Sequence, residues 1–162
     1  MNLDEQLQIL INEAPQHGVS KIVMEKAVIP ALKFFASQLQ HTHYHVLHSE
    51  DRSWLVTTLR HREKQQSDKR VIYAFSTRKD AASFQGITTP DIRIVSLPVA
   101  HILFQLFTVD RLDSIIFMEV AGKKEHGTEI ERAKLQTIIE QQLRRLKLKH
   151  SSPLTNIPPN FA

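Results

Sequence analysis

Residues 70–84 read RVIYAFSTRKDAASF, and the fold turns on how this stretch divides. Its first half is rich in β-branched and aromatic residues and reads as a strand. After Ser76 the period changes, and RKDAASF reads as a short helix. Thr77 is its N-cap, with Asp80 three residues on in the position of a capping box. Working towards the C-terminus, IRIVSL (92–97) is a strand, PVAHILFQLF (98–107) a helix and DSIIFMEV (113–120) a strand. Residues 70–120 therefore alternate β-α-β-α-β, which predicts parallel pairing with right-handed crossovers.

Working towards the N-terminus, YHVLHS (44–49) and SWLVTTLR (53–60) read as strands joined by the turn EDR. They predict an antiparallel hairpin over 44–59. Before it, LDEQLQILINEA (3–14) is an amphipathic helix with Leu3, Leu7, Leu10, Ile11 and Ala14 on one face, ended by Pro15 and Gly18. In VSKIVMEKAVIPALKFFASQLQ (19–40), Ile22, Val23, Ala27, Leu32, Phe35 and Leu39 recur at helical intervals. Pro30 either kinks one helix or opens a second. TEIERAKLQTIIEQQLRRLKLK (128–149) predicts a long final helix with a Thr128–Glu131 capping box and an inner stripe of Leu135, Ile138, Ile139, Gln142 and Leu146. The sum is one α/β (α+β) domain over 1–149. It has a mixed sheet of about five strands, an N-terminal hairpin, helices packed on the sheet and a long C-terminal helix. RHREKQQSDKR (60–70) is a polar loop, and residues 150–162, with three prolines, a mobile tail.

Over roughly residues 70–118, with some support from the helix before, the pattern resembles the N-terminal domain of the SseB-like family, the enhanced serine sensitivity proteins. The matching pieces are Phe75-Ser76-Thr77, Asp80-Ala81-Ala82, Leu97-Pro98-Val99 and Ile115-Ile116-Phe117. The triplet is Ser-Thr where the family has Thr-Ser, and the final strand runs on to MEVAGKKEHG rather than to an Asn-Pro ending. The resemblance implies a fold and no catalytic residues. The chain as a whole is similar in character to bacterial, in particular cyanobacterial, proteins.

Composition narrows the function classes. With 41% hydrophobic and 23% charged residues the chain is a folding one. It has no cysteine, which excludes disulfides, thiolate metal sites and a cysteine nucleophile, and fits the cytoplasm. The start, MNLDEQLQIL, is not a secretory signal, and no apolar run is long enough to span a bilayer, so no membrane is expected. A net charge of +4 is mild. Basic residues cluster in RHREK (60–64), at Lys69-Arg70 and in RRLKLKH (144–150), but aromatics are not interleaved with them, which argues against nucleic acid. Arg144, Arg145, Lys147 and Lys149 instead complement the dipole end of the last helix.

Four sites invite chemistry. HTHYHVLH (41–48) holds four of nine histidines. On a strand His41, His43 and His45 would share one face, and with His48 they are candidate metal ligands. The competing reading puts them on the wet face of a strand whose Tyr44 and Val46 face the core. Ser76, Thr77 and Arg78 form a strand-to-helix turn that could bind an anion, against a plain helix cap, and the turn lacks the glycine a phosphate loop needs. Glu119, with Asp110 and Asp113 nearby in sequence, is the candidate for a small enzyme's acidic site. His101, inside an apolar helix, reads as a packed, hydrogen-bonded core residue. No Gly-x-Ser-x-Gly elbow is present, no cofactor is called for, and no catalytic residue is assigned. The helix with Val99, Ile102, Leu103, Phe104, Leu106 and Phe107 is apolar almost all round. It must be covered on several sides, by the N-terminal helices or by a second copy in a homodimer. The expectation is a non-catalytic cytoplasmic domain that interacts with a protein partner or regulates one. Metal response through the histidine strand and the acidic enzyme are the alternatives.

Overall fold

The structure, a computed structural model, describes residues 1–60, 68–84, 91–123 and 127–150, with residues 148–150 described by backbone alone. Most of the polar loop (RHREK from its second residue on) and the proline tail from residue 151 lie outside the described residues. The chain forms an α+β fold, a six-stranded mixed sheet with helices on it and a long C-terminal helix.

The N-terminal part is helical. Asn2 caps α1 (Leu3–Asn12), accepting from Glu5 N at 2.9 Å. A 3-10 turn (Ala14–His17) takes Pro15 at its start, and Gly18 ends it with φ +73°, a left-handed conformation that suits glycine. Ser20 caps α2 (Lys21–Val23), which runs through a π turn (Met24–Val28) into α3 (Ile29–Ala36). Pro30 therefore lies within one continuous helical run and does not open a separate helix. The widened turn immediately before it absorbs the missing donor. That turn also changes the face. Met24, Val28 and Ala31 point inward, while Ile22, expected inside, is 50% exposed.

The remaining elements are β1 (His43–His48), β2 (Thr57–Leu59), β3 (Lys69–Phe75), α4 (Arg78–Ser83), β4 (Arg93–Pro98), α5 (Val99–Thr108), β5 (Ser114–Met118), β6 (Gly127–Glu131) and α6 (Arg132–His150). The strand order is β4-β1-β3-β5-β6, with β2 also beside β3. Three expectations change here. First, the hairpin opens. β1 pairs along its whole length with β4, and meets β3 at His45 opposite Phe75. A short piece of it remains at the turn, where His48 bridges Trp54, Leu55 N donates to Leu47 O and Ser49 N to Ser53 O. β2 then pairs with the first half of β3. Second, β1 lies between β3 and β4, so of the predicted parallel pairs only β3–β5 are neighbours. Third, Thr128 and Glu131 form no capping box. They belong to β6, antiparallel to β5, and the last helix starts at Arg132. Strand pairing wins there because Ile130 buries its side chain opposite Ile115, and Glu129 accepts from Ser114 Oγ and pairs with Lys69. Gly127 fits because an added Cβ would stand 2.8 Å from Ile116 Cγ2.

The main core lies on the sheet face of Tyr44, Val46, Ile72 and Phe117, beneath α1, α3, α5 and α6. α5 is covered by α1, α3 and α6 as well as by the sheet, so its all-round apolar surface is used within the chain. Gln6, 3% exposed, ties these layers together. Its Nε2 donates to Thr42 O at 2.9 Å, and its Oε1 accepts from Ala100 N, a free donor in the first turn of α5. A smaller cluster of Leu47, Phe75, Ala81 and Met118 fills the opposite face under α4.

Candidate functional site

The histidine run is parted by the fold. His43 and His45 share one face of β1, and His48, three residues on from His45, points to the other. His41 precedes the strand. Its Nε2 contacts Glu119 O at 2.9 Å, and its ring sits edge-on to Tyr44. Among the described residues no three of His, Asp and Glu converge as metal ligands would. None of the four is fully wet, each being half-buried. His45 lies beneath α4, and burial, followed by the charge of Arg78, lowers its pKa.

At the turn after β3, Thr77 caps α4 and accepts from Asp80 N at 3.1 Å. The capping box is not reciprocal, because Asp80 Oδ2 instead accepts from Gly122 N at 2.9 Å. Arg78 reaches towards Ile94 O at 3.4 Å. Ser76 Oγ is buried without a partner among the described residues. The turn thus works as a cap, with two of its three polar side chains directed to backbone.

The acids do not meet. Glu119, 6% exposed, accepts from the Tyr44 hydroxyl through Oε1 and from Gln40 N through Oε2 at 2.7 Å. Burial, the hydrogen bond to Glu119 and its charge raise the Tyr44 pKa, so the phenol stays protonated and donates. Asp113 and Asp110 lie at the opposite end of β5, roughly 20 Å along the strand. Asp113 accepts from Arg70 N at 2.8 Å, and Asp110 pairs with Arg132 at 2.8 Å.

A large concave surface lies elsewhere, where β1 and β2 splay apart. A cleft of about 720 Å³ opens between α5 and the sheet. Its floor is Ile72, Val95, Leu97, Val109 and Leu112. His101 and Gln105, four apart on α5, form one wall. His48, Trp54 and Val56 form the other. Arg52 and Arg111 stand at the mouth. Arg52 has φ +67° in a turn held by Arg52 N to Ser49 O and by Ser53 N to Asp51 Oδ1. Arg111 sits in the turn closed by Leu112 N to Val109 O. Among the described residues no carboxylate lines the cleft. His101 is therefore not a packed core residue. It is half-buried on the cleft wall. A sequence signal for the cleft does exist in the two polar residues four apart in the apolar stretch VAHILFQLF. Nothing local announces Arg52 or Arg111.

Burial, and then the neighbouring His17, lower the His101 pKa, against a smaller raising effect of Glu13. The sign of the pH dependence follows. With the folded imidazole lowered, the unfolded chain takes up protons first, from the ordinary value of about 6.5 downward. Stability is fully present above that value and falls as pH drops through it. Urea unfolding at about pH 7.5 and about pH 5.5 should show the loss, and His45→Gln and His101→Gln should each reduce it. An unchanged pH slope in both variants would refute the assignment.

Compared with known proteins, the chain matches no family model and no curated sequence. Among the described residues no helix is long and apolar enough to cross a membrane.

Proposed function

We propose that this protein is a non-catalytic regulatory domain of the cytoplasm, with the α5–sheet cleft as its receiving site and a protein partner as its output. The observation that carries the reading is the disposition of the carboxylates. Glu119, Asp113, Asp110 and Glu129 are each engaged with Tyr44, Arg70, Arg132 or Lys69. Among the described residues that line the cleft there is none, so these offer cations and an apolar floor without an acid to pair with a base. The lack of cysteine supports the cytoplasmic placement. The β-α-β-α-β succession from Lys69 to Met118 supports kinship with the SseB-like fold.

Native mass spectrometry of the protein isolated gently from its own cells tests the reading. A complex with a second kind of chain is expected. The bare 18.7 kDa mass, or integer multiples of it, would count against a protein partner, the multiples favouring a homo-oligomer. Added metal mass that disappears on replacing His41, His43, His45 and His48 would favour metal response instead.

A further inference from the structure

We propose that the cleft between α5 and the sheet binds an amphipathic organic anion, its apolar body on the floor and its acidic head between Arg52 and Arg111. The inference rests on the reading of the cleft as a receiving site and adds the chemistry of what enters it. Three observations carry it.

The first is size. At about 720 Å³ the cleft falls in the range of small-molecule sites, and its floor of Ile72, Val95 and Leu97 is aliphatic. An apolar body gains there by leaving water.

The second is charge. Both mouth arginines come from hydrogen-bonded turns, so their backbones are fixed before any ligand arrives. Among the described residues the ion pairs employ Arg70 and Arg132, whereas Arg52 and Arg111 take part in none. Two guanidinium groups, with no carboxylate among the described lining residues, over a low-dielectric floor, attract an anion and can hold it in bidentate fashion. Arg93 stands directly across from His48 on the same sheet face and adds a third positive charge near this end of the sheet.

The third is the neutral polar lining. His48 Nδ1 is engaged with Ser49 O at 2.7 Å, which leaves Nε2 as its other hydrogen-bonding atom. His101 and Gln105 add hydrogen-bonding groups midway along the wall. The cleft is thus graded, from apolar floor through neutral polar wall to cationic mouth. That gradient matches a carboxylate or phosphate head on a hydrocarbon or aromatic body.

Trp54 is the only tryptophan and lines the cleft, so its emission reports directly on occupancy. The test is a titration of the purified full chain with anilinonaphthalene sulfonate, an aromatic anion, and with uncharged N-phenylnaphthylamine. The sulfonate is expected to saturate at one dye per chain, quench Trp54 by energy transfer and raise the melting temperature, as a ligand of the folded state must. Arg52→Gln with Arg111→Gln should weaken the sulfonate by roughly tenfold or more and the uncharged dye by less than about twofold. Arg52→Lys with Arg111→Lys retains the charge and should stay within about fivefold of the native chain. Displacement of the dye by dodecanoate or by dodecyl phosphate supports the proposal and tells which head group is preferred. Displacement by inorganic phosphate but by neither amphiphile overturns it. So do binding without saturation, a lowered melting temperature with dye, undiminished sulfonate binding in the glutamine variant, or equal loss of both dyes. These outcomes concern the cleft alone and leave the mass-spectrometric test of a protein partner independent.

Discussion

Phe117→Ala is expected to lower the unfolding free energy by about 3–5 kcal/mol. Phe117 is fully buried in β5, between β3 and β6, and its ring stands edge-on to Tyr44 with centroids 4.8 Å apart. Truncation removes the transfer energy of the ring and leaves a hole in the main core. The sheet cannot close over it without breaking the β3–β5 register, in which Phe117 lies opposite Ala74. Ala74 is itself too small to reach into the space. For a chain of this length the melting temperature should fall by roughly 10 °C or more. Phe117→Leu, which keeps most of the volume, should cost about 1–2 kcal/mol. A loss below about 1 kcal/mol for the alanine variant, measured by urea unfolding, would mean that the core collapses freely at this point.

Glu119→Ala is the second large effect, about 2–4 kcal/mol. Two donors lose their acceptor at once, the Gln40 N–H and the Tyr44 hydroxyl, in a place where Tyr44 is fully buried. Tyr44→Phe alone should cost about 1–3 kcal/mol, since Glu119 keeps the Gln40 contact. In the double variant the two losses should fall short of additivity by at least about 0.5 kcal/mol, because one interaction is removed twice. The pair of measurements separates a structural carboxylate from a catalytic one. Unchanged stability in Glu119→Ala would revive the acidic site. The expected loss assigns this residue to holding the segment before β1 against the end of β5.

Much of the fold was legible because it rests on local pattern. The stripe Leu7, Leu10 and Ala14 marks the inner face of α1, and Leu135 and Ile139 that of α6. The Thr77 cap follows from one residue type at the start of a helix. The β-α-β-α-β run also emerges, since each segment is long enough to show its period. Where expectations failed, a remote partner outweighed the local signal. GTEIE contains the spacing of a capping box, yet the bare edge of β5 offers five pairings and a buried place for Ile130. The π turn at Met24–Val28 adds a residue to one helical turn, which no propensity at Pro30 foretells, and so Ile22 faces out.

The histidines and acids show the same division at the level of chemistry. Alternation along β1 is a property of any strand, so the shared face of His43 and His45 was readable. The separation of His41 depends on Glu119, 78 residues away along the chain. Glu119 and Asp113 are neighbours in sequence, but an extended strand carries them to opposite ends of the sheet. Local pattern was enough for most element types, the inner faces of α1 and α6 and the absence of thiol chemistry, because these depend on residues a few positions apart. The strand order, the insertion of β1 between β3 and β4, and the cleft that gathers Arg52, Trp54, His101 and Arg111 emerge only once the chain has folded. Competition among strands for sheet edges settles them, and that competition is between segments far apart in the chain.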